Sequence, residues 1–241
     1  MQNNPKFHKG LTLVELLVVV AIVAVLAVIT LTVSSKMMAS ANENVCASNL
    51  RSLAIALNSY ASENGGIYPV SNGFANPPPS NWIAALLDGE YLYPKQPDSQ
   101  RAFVNNQGKN CLYCPAAVRV ARPLDGNWNT YAMNMQAGGW FKPAGQESAS
   151  RLMRIQYPAE TALVMDGCRI NGNYYVTTVG TTPGTAHNWF PEMVHPPNLI
   201  NKPGNPNRGC IVAFVDGHTE FRKSSTIPSD TNKVFWSGIK P

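Results

Sequence analysis

Five acidic and histidine side chains in the second half of the chain are the residue types that carry general acid–base catalysis. They are Asp166, His187, His195, Asp216 and His218. Asp166-Gly167 and Asp216-Gly217 are more simply explained as hairpin turns, because Asp accepts local backbone hydrogen bonds and Gly adopts positive φ. His187 and His195, eight residues apart, do not make a metal-binding motif by themselves. Since no nucleophile elbow, P-loop or dinucleotide-binding glycine motif stands in its proper setting, we expect no enzyme active site.

The spacing Cys111-x-x-Cys114 is found in zinc sites and in redox motifs. A zinc site would need two more ligands with similar spacing, and the sequence has none arranged in that way. A thioredoxin-like motif begins a helix after a strand, whereas Pro115 and the surrounding loop composition argue against that context. The sequence therefore predicts no metal ion here, and no cofactor for the chain.

The five cysteines are better explained as disulfide bonds that hold loops against a helix and a sheet. They are Cys46, Cys111, Cys114, Cys168 and Cys210. Cys46 could pair with either Cys111 or Cys114, and Cys168 could pair with Cys210. Because the number is odd, at least one thiol stays free or joins another chain.

Two weaker ligand-binding candidates lie in the middle of the chain. Asp125, Asn127 and Asn129 alternate as calcium ligands do, but no acidic ligand follows at the usual spacing. Four aromatic residues could form a sugar-stacking surface, although such residues are more often core or loop anchors. They are Trp128, Trp140, Phe141 and Trp189.

Short strands with Gly, Asp or Asn at their ends would position the candidate residues. The predicted strands are Thr161–Met165, Tyr174–Val179 and Cys210–Val215, with a shorter apolar piece at Tyr131–Met135. His218–Arg222 alternates and would pair with the last of these strands across Asp216-Gly217, a strong two-residue turn signal. A short helix is predicted for Asn81–Leu87, and a long Pro/Asn-rich loop lies between Gly180 and Gly209.

A long helix is predicted at the N-terminal side of these strands. Leu11 to Val33 is an apolar run of about 23 residues, which is enough to cross a bilayer core. Ser34 to Glu63 contains no Pro or Gly, and Gly65-Gly66 ends the pattern. Apolar residues recur there at three- and four-residue steps, as on one face of an amphipathic helix: Val45, Cys46, Leu50, Leu53, Ala54, Leu57 and Tyr60. Leu11 to Glu63 would form one helix of roughly 80 Å.

The residues around the apolar run indicate an anchored, exported protein. Lys6 and Lys9 precede the run and would keep the N-terminus in the cytoplasm. Glu15 lies inside the apolar segment, where a charge costs about 2.5–3.5 kcal/mol, so it needs a partner or a function. A cleaved signal peptide with Ala39-Ser40-Ala41 as its site is an alternative, but its apolar core would exceed the usual length. A plain signal anchor is a second alternative.

The N-terminal residues also resemble those of a known family. Lys9, Gly10, Leu11, Thr12, Leu13, Val14 and Glu15 are similar to the start of type IV pilins and type II secretion pseudopilins. The resemblance implies that prepilin peptidase cuts between Gly10 and Leu11 and that the new Leu11 amine is methylated. It implies that Glu15 pairs with the N-terminal amine of a neighbouring subunit. It also implies an α+β, pilin-like fold in which the long helix packs on an antiparallel sheet.

From this resemblance we expect four segments. They are a leader peptide at 1–10, a transmembrane helix at 11–33, its amphipathic continuation at 34–64 and a globular extracytoplasmic domain at 65–241. The expected partners are prepilin peptidase, other pilin or pseudopilin subunits in a homo- or hetero-oligomer, the inner-membrane assembly platform and membrane lipid. The expected location is the inner membrane, with the C-terminal domain outside, and then a periplasmic or cell-surface filament.

A second resemblance is to the large prepilin-type proteins of planctomycete- and lentisphaera-like bacteria. It rests on the run from Cys46 to Arg51 and on Phe214-Val-Asp216-Gly217-His218. Those proteins carry a C-terminal His-x9-Asp-Gly signature, whereas this chain has Pro206 at the histidine position. The nearest upstream histidine is His195, so the signature is degenerate or holds an inserted loop.

Composition agrees with export and leaves one alternative function open. The chain has 19 basic and 14 acidic residues, or +5, and loss of Lys6 and Lys9 leaves 17 − 14 = +3. That charge is too small to indicate nucleic-acid binding. Cysteines beyond the anchor fit an oxidising compartment. The expected function is therefore a filament subunit, and the alternative is a membrane-tethered extracellular binding protein or hydrolase that uses only the anchor.

Overall fold

The computed structural model describes residues 12–71, 82–92, 111–118, 130–138, 154–167, 178–179, 195, 205–228, 230 and 233–240. The chain divides into two compact units, Met1–Ser40 and Ala41–Pro241. The division falls inside the first helix, α1, which runs from Leu13 to Glu63. The segment boundaries expected from the resemblance, at residues 33 and 64, stay predictions.

In the first unit, α1 presents its apolar side chains to the surroundings. Leu13–Leu31 is long and apolar enough to cross a membrane, and none of it is buried. Its polar interruptions are satisfied within the helix: the Thr30 hydroxyl donates to the Leu26 carbonyl at 2.7 Å, and the Ser34 hydroxyl donates to the Thr30 carbonyl at 2.7 Å. The hydroxyls of Thr30 and Ser34 are therefore satisfied by the helix backbone without water.

In the second unit, α1 buries the predicted stripe. Cys46, Leu50, Leu53, Ala54 and Leu57 are fully buried in one hydrophobic core, while Val45 is exposed and Tyr60 half-buried. The helix ends as predicted, because Gly65 and Gly66 adopt φ values of 66° and 76°. The Gly66 amide donates to the Ala61 carbonyl at 2.7 Å, which satisfies one carbonyl of the last turn.

The other elements follow in chain order. They are α2 (Trp82–Asp88), α3 (Pro115–Val118), β1 (Tyr131–Asn134), α4 (Met135–Gly138), β2 (Ala162–Asp166), β3 (Thr178–Val179), β4 (Gly209–Phe214), β5 (Thr219–Lys223), a 3₁₀ turn (Ser224–Thr226) and α5 (Val234–Ser237). The strand order in the sheet is β3-β1-β2-β4-β5. Strands β1, β2, β4 and β5 are antiparallel, and the two-residue β3 adds a parallel edge beside β1. This confirms the predicted α+β class with a long apolar N-terminal helix, and it is consistent with a pilin-like fold.

The sheet has a core on each face. Tyr131, Met133, Leu163, Ile211 and Ala213 belong to the same core as the buried stripe of α1. The opposite face forms a second core with the C-terminal segment, and its members are Ala132, Ala162, Met165, Cys210, Val212, Phe214, Ile227, Phe235 and Trp236. Since antiparallel partners share a face, the register Ala132↔Met165↔Val212 explains this second set.

The predicted β4–β5 hairpin is confirmed. Gly217 adopts a φ of 90°, and the Asp216 carboxylate accepts the His218 amide at 3.1 Å. Ala213 pairs with Thr219 directly before the turn. Helix α2 and strands β2 and β4 lie within one residue of their predicted positions. Of the predicted strand Tyr174–Val179, only Thr178–Val179 falls among the described residues, and most of the predicted 180–209 loop falls outside them.

Candidate functional site

The first turn of α1 is closed by a pair of side chains that cap each other. The Glu15 carboxylate accepts hydrogen bonds from the Thr12 amide at 2.9 Å and from the Thr12 hydroxyl at 2.8 Å. The Thr12 hydroxyl in turn accepts the Glu15 amide at 3.3 Å. This is a capping box, in which residues three apart satisfy each other's backbone donors. The signature Thr-x-x-Glu stands in the sequence, so this role of Glu15 was detectable and was missed above.

The residues on either side of this cap complete the N-terminal candidate site. Gly10 and Leu11, the predicted cleavage and methylation residues, lie outside the described part of the chain. Beyond Glu15, large apolar side chains such as Leu16, Val20 and Ile22 are more than half exposed. An exposed apolar surface of this extent needs lipid or other apolar side chains around it. The arrangement is therefore suited to a membrane and to packing against similar helices.

A disulfide bond joins α1 to the segment before α3. Cys46 pairs with Cys114, with a Cα–Cα distance of 4.9 Å and a sequence separation of 68. This is one of the two pairings that the sequence left open. In the chain-entropy treatment, closing a loop of that length stabilises the folded state by about 4 kcal/mol. The Asn49 amide group reinforces the contact, because it donates to the Tyr113 carbonyl at 2.8 Å.

The structure describes two of the three remaining cysteines. Cys111 and Cys210 have free thiols, and Cys168 lies outside the described residues. Cys210 points into the second core, opposite Arg222 on β5, where a protonated thiol packs as a small apolar side chain. Burial raises the pKa of the Cys210 thiol well above its usual value, and the Asp166 charge raises it further. Cys210 is thus free in the described part of the chain, and its pairing with Cys168 stays a prediction.

His195 lies against the Cys46–Cys114 disulfide, and Asp166 lies beside His195. His195 Nε2 is 3.4 Å from Cys114 Sγ and 3.6 Å from Asp166 Oδ2. The backbones of His195 and Gly209 exchange two hydrogen bonds, and this bridge holds His195 at the start of β4. Gly209 has no room for a side chain, because a Cβ there would overlap the Arg222 carbonyl oxygen. All four side chains of this set, which we term the buried cluster (Cys46, Cys114, Asp166 and His195), are buried.

Asp166 is not a turn residue, so the predicted Asp166-Gly167 hairpin is wrong. Asp166 ends β2 and pairs with Tyr131 in the sheet. Its Oδ2 atom accepts the Ile211 amide of β4 at 2.8 Å, so the carboxylate closes a gap in the strand ladder. Gly167 continues the chain past Tyr131, and its amide donates to the Thr130 carbonyl at 2.7 Å. The sheet register, which is non-local, decides the role of this Asp-Gly pair.

The charge state of His195 follows from its burial. Burial lowers the pKa of His195 to about 4, so the imidazole is neutral at neutral pH. Its 3.6 Å separation from Asp166 also exceeds hydrogen-bond length. The pair is therefore a contact between a neutral ring and a carboxyl group, and not a salt bridge at neutral pH.

The buried cluster does not have the geometry of a catalytic triad. In a triad the nucleophile and the carboxylate contact different nitrogens of the histidine ring. Here the sulfur and the carboxylate both contact Nε2, and His195 Nδ1 has no hydrogen-bond partner within the described part of the chain. The sulfur is also held in a disulfide, which leaves no thiolate to act as nucleophile.

Asp216 and His218, two of the predicted chemical residues, lie apart from this cluster. Asp216 and His218 lie past the far end of β4, where Asp216 Oδ1 is 2.6 Å from His218 Nδ1. The His218 ring stacks on Phe214 at a centroid distance of 4.3 Å, as part of an exposed hairpin turn. The structure thus gives two separate Asp–His pairs. The remaining candidates, His187, the Asp125–Asn129 oxygens and the four aromatic residues, lie outside the described residues.

Comparison with known proteins gives a match at the N-terminus. Residues 5–31 match the family profile described as the prokaryotic N-terminal methylation motif. The matched range contains Gly10, Leu11 and Glu15, so the chain has a prepilin-type N-terminus followed by an apolar helix. No curated protein and no solved structure matches the chain. The motif indicates a prepilin-like substrate of the type IV pilin and pseudopilin class, and with the exposed apolar helix it indicates a membrane anchor.

Proposed function

We propose that this chain is a structural subunit, a pseudopilin or pilin, that assembles into a type II secretion pseudopilus or a type IV pilus-like filament. The observation that carries the proposal is the coincidence of two features in one segment. The methylation motif covers residues 5–31, and the membrane-length part of α1 covers Leu13–Leu31 with every side chain unburied. A subunit that must leave the membrane and pack helix against helix requires both features.

Processing would begin at the junction between leader and helix. Prepilin peptidase cuts after Gly10, so Leu11 becomes the first residue, directly before the capping residue Thr12. Methylation of the Leu11 amine then completes the mature N-terminus. The leader at 1–10 carries Lys6 and Lys9, which keep this end on the cytoplasmic side until the cut.

Assembly would use Glu15 in a second way. In the single chain its carboxylate is occupied by Thr12. In the filament the carboxylate meets the positively charged Leu11 amine of a neighbouring subunit. Within an apolar surrounding such a pair is costly to break, since each partner alone would be an unpaired charge. The pair therefore fixes the axial position of one helix against the next.

The second unit would form the exposed part of the subunit. Its helical stripe is buried against the sheet, and the disulfide joins the same helix to the Cys114 segment. The buried cluster offers no accessible nucleophile, which favours a structural role over the tethered-hydrolase alternative. In this proposal the mature protein lies in the inner membrane with residues 65–241 outside, and it meets the assembly platform there before it enters a filament.

The test is intact-mass and N-terminal analysis of the membrane-extracted protein from cells with and without prepilin peptidase. With the peptidase, we expect a chain that begins at N-methylated Leu11 and contains one disulfide. Without it, we expect the full leader to remain. A mature protein that begins at Asn42 would show processing by ordinary signal peptidase and would overturn the proposal.

A further inference from the structure

We propose that the buried cluster binds a metal ion when the Cys46–Cys114 disulfide is reduced. Cys46, Cys114 and His195 then bind one tetrahedral zinc ion, and Asp166, which lies beside His195, turns toward the ion as the fourth ligand. The proposal concerns the second unit, Ala41–Pro241, which we term the head, and it does not depend on filament assembly. No spacing of ligand residues in the sequence indicates this site, because the four side chains come from four separate segments of the chain. They lie on α1, before α3, beside the start of β4 and at the end of β2.

The distances among three of the ligand atoms suit a tetrahedral ion. The ligand atoms of Cys46, Cys114 and His195 all lie within 4.8 Å of one another, whereas the Asp166 carboxylate is outside this set and must turn toward the sulfurs to complete it. With Zn–S near 2.3 Å and Zn–N or Zn–O near 2.0–2.1 Å, tetrahedral angles place sulfur about 3.6 Å from nitrogen and nitrogen about 3.4 Å from oxygen. The observed separations are 3.4 Å for Cys114 Sγ to His195 Nε2 and 3.6 Å for His195 Nε2 to Asp166 Oδ2.

The direction of the groups also favours a shared ion. The sulfur and the carboxylate approach the same ring nitrogen, an arrangement that is wrong for a triad and right for ligands around a common centre. The Asp166 carboxylate is oriented by the Ile211 amide, and the His195 backbone is fixed by its bridge to Gly209. Such outer contacts orient metal ligands before the metal arrives.

The chemistry of the donor set selects zinc. Two thiolates and an imidazole are typical zinc ligands, and a carboxylate completes four-coordination. Calcium and magnesium prefer oxygen ligands and would not occupy this set. With Asp166 in the fourth position no ligand position is left for water, and all four side chains are buried, so the site would be structural rather than catalytic.

The change between states balances with a dithiol reductant. The reductant transfers two electrons and two protons to the Cys46–Cys114 bond, which gives two thiols and the oxidised, cyclic disulfide of the reductant. Zinc then displaces the two thiol protons, which pass to solvent, and the two sulfurs move apart to about 3.8 Å around the ion. The Cys114 segment stays attached to α1 both in the disulfide form and in the reduced, zinc-bound form. Zinc would therefore keep the head folded where a reductant breaks the disulfide.

The experiment is a metal titration of the full-length protein in detergent. The protein is reduced under anaerobic conditions, freed of metal, and titrated with Co²⁺ as a spectroscopic probe and then with Zn²⁺ in competition. We expect one equivalent of Co²⁺ with thiolate-to-cobalt charge-transfer absorption and the visible bands of a tetrahedral ion. Zinc should displace the cobalt, and the oxidised protein should show none of these bands.

Matched variants identify the ligands. Cys111→Ser removes the neighbouring thiol of the C-x-x-C spacing and should leave binding unchanged. Cys46→Ser should abolish the tetrahedral bands, and His195→Gln and Asp166→Asn should each weaken binding at least tenfold. The last two variants retain the disulfide, so circular dichroism of their oxidised forms verifies the fold before reduction.

Three results would overturn the proposal. One is the absence of a saturable, tetrahedral cobalt spectrum in reduced, folded protein. Another is loss of binding in Cys111→Ser with retention in Cys46→Ser, which would assign any metal to the C-x-x-C pair. The third is a reduced protein that unfolds and stays unfolded in saturating zinc.

Discussion

The carboxylate of Glu15 and the hydroxyl and amide of Thr12 cap the first turn of α1 together, at 2.8–2.9 Å. Glu15 therefore stabilises the start of the helix within a single chain, before any neighbour is present. This matters for how substitutions at residue 15 are interpreted. Glu15→Ala removes a capping group and a charge at once, whereas Glu15→Gln keeps a side chain that can still complete a capping box.

We expect both Glu15→Ala and Glu15→Gln to leave leader removal largely intact and to abolish incorporation into filaments. The reason is that a neutral amide cannot pair with the charged amine of the next subunit. Thr12→Val is the matched control, since it weakens the cap by about 1 kcal/mol and keeps the charge, so incorporation should persist. Immunoblots of sheared filaments measure incorporation, and immunoblots of membranes measure removal of the leader. Normal incorporation of Glu15→Gln would show that Glu15 acts only as a helix cap.

Gly10→Val should block removal of the leader. A peptidase that must bring the Gly10–Leu11 bond into its active site has little room for a branched side chain before the cut. The membrane-extracted variant should retain residues 1–10 and lack methylation in its intact mass. Lys6→Arg, a conservative change in the same leader, serves as the control and should be processed normally. Complete processing of Gly10→Val would contradict the predicted cut site.

Stability should fall in acid because His195 is buried as a neutral ring. Its pKa is lowered from 6.5 in the unfolded chain to about 4 in the folded one, so only the unfolded state gains the proton between these values. The contribution of His195 to the free energy of unfolding is thus fully present above pH 6.5. It declines by about 3 kcal/mol as the pH falls to about 4. Asp166 is the titratable group that faces the ring, and Cys114 does not titrate in the disulfide.

Denaturant unfolding of the oxidised, chelator-treated protein at several pH values measures this decline. His195→Gln supplies a side chain of similar length that does not titrate, so its stability should depend less on pH over the same interval. An equally steep acid loss in the variant would assign the effect to other groups.

Asn58 joins three parts of the head, and its loss should be costly. Its amide group donates to the Val215 carbonyl at 2.8 Å, and its carbonyl oxygen accepts the Tyr68 hydroxyl at 2.5 Å. Asn58→Ala leaves the buried Tyr68 hydroxyl without this partner, so we expect a loss of about 2–3 kcal/mol in unfolding free energy. Ser62→Ala, one turn further along α1, removes only an exposed hydroxyl bonded to the helix backbone and should change stability little. A similar loss in both variants would contradict this role for Asn58.

Local signals in the sequence predicted much of the fold. The three- and four-residue spacing gave the buried side of α1, and Gly65-Gly66 gave its end, because both depend only on near neighbours. Asp216-Gly217 predicted the β4–β5 hairpin for the same reason. Asp166-Gly167 carries the identical dipeptide and was predicted wrongly, since the pairing of Asp166 with Tyr131 and Ile211 is set by distant strands.

The buried cluster could not be predicted from spacing. Cys46 and His195 lie on separate elements far apart in the chain, and only the complete sheet brings them together. The periodicity of apolar residues indicates which face of a helix or strand is buried. It contains no information on which helices and strands pack together. The capping box at Thr12 and Glu15 is the opposite case, because its signature is local and was available.

The second core of the sheet depends on residues that follow every strand. Phe235 and Trp236 cover Val212 and Phe214, and Asn134 on β1 donates to the Trp236 carbonyl at 2.9 Å. A chain threaded outward from its anchor would deliver these two aromatic residues only after all five strands had emerged. Until then the apolar face of the sheet is exposed to water. A product truncated before residue 235 would keep this face exposed, and we expect it to be prone to proteolysis and aggregation. The second core therefore forms only in a chain that includes Phe235 and Trp236.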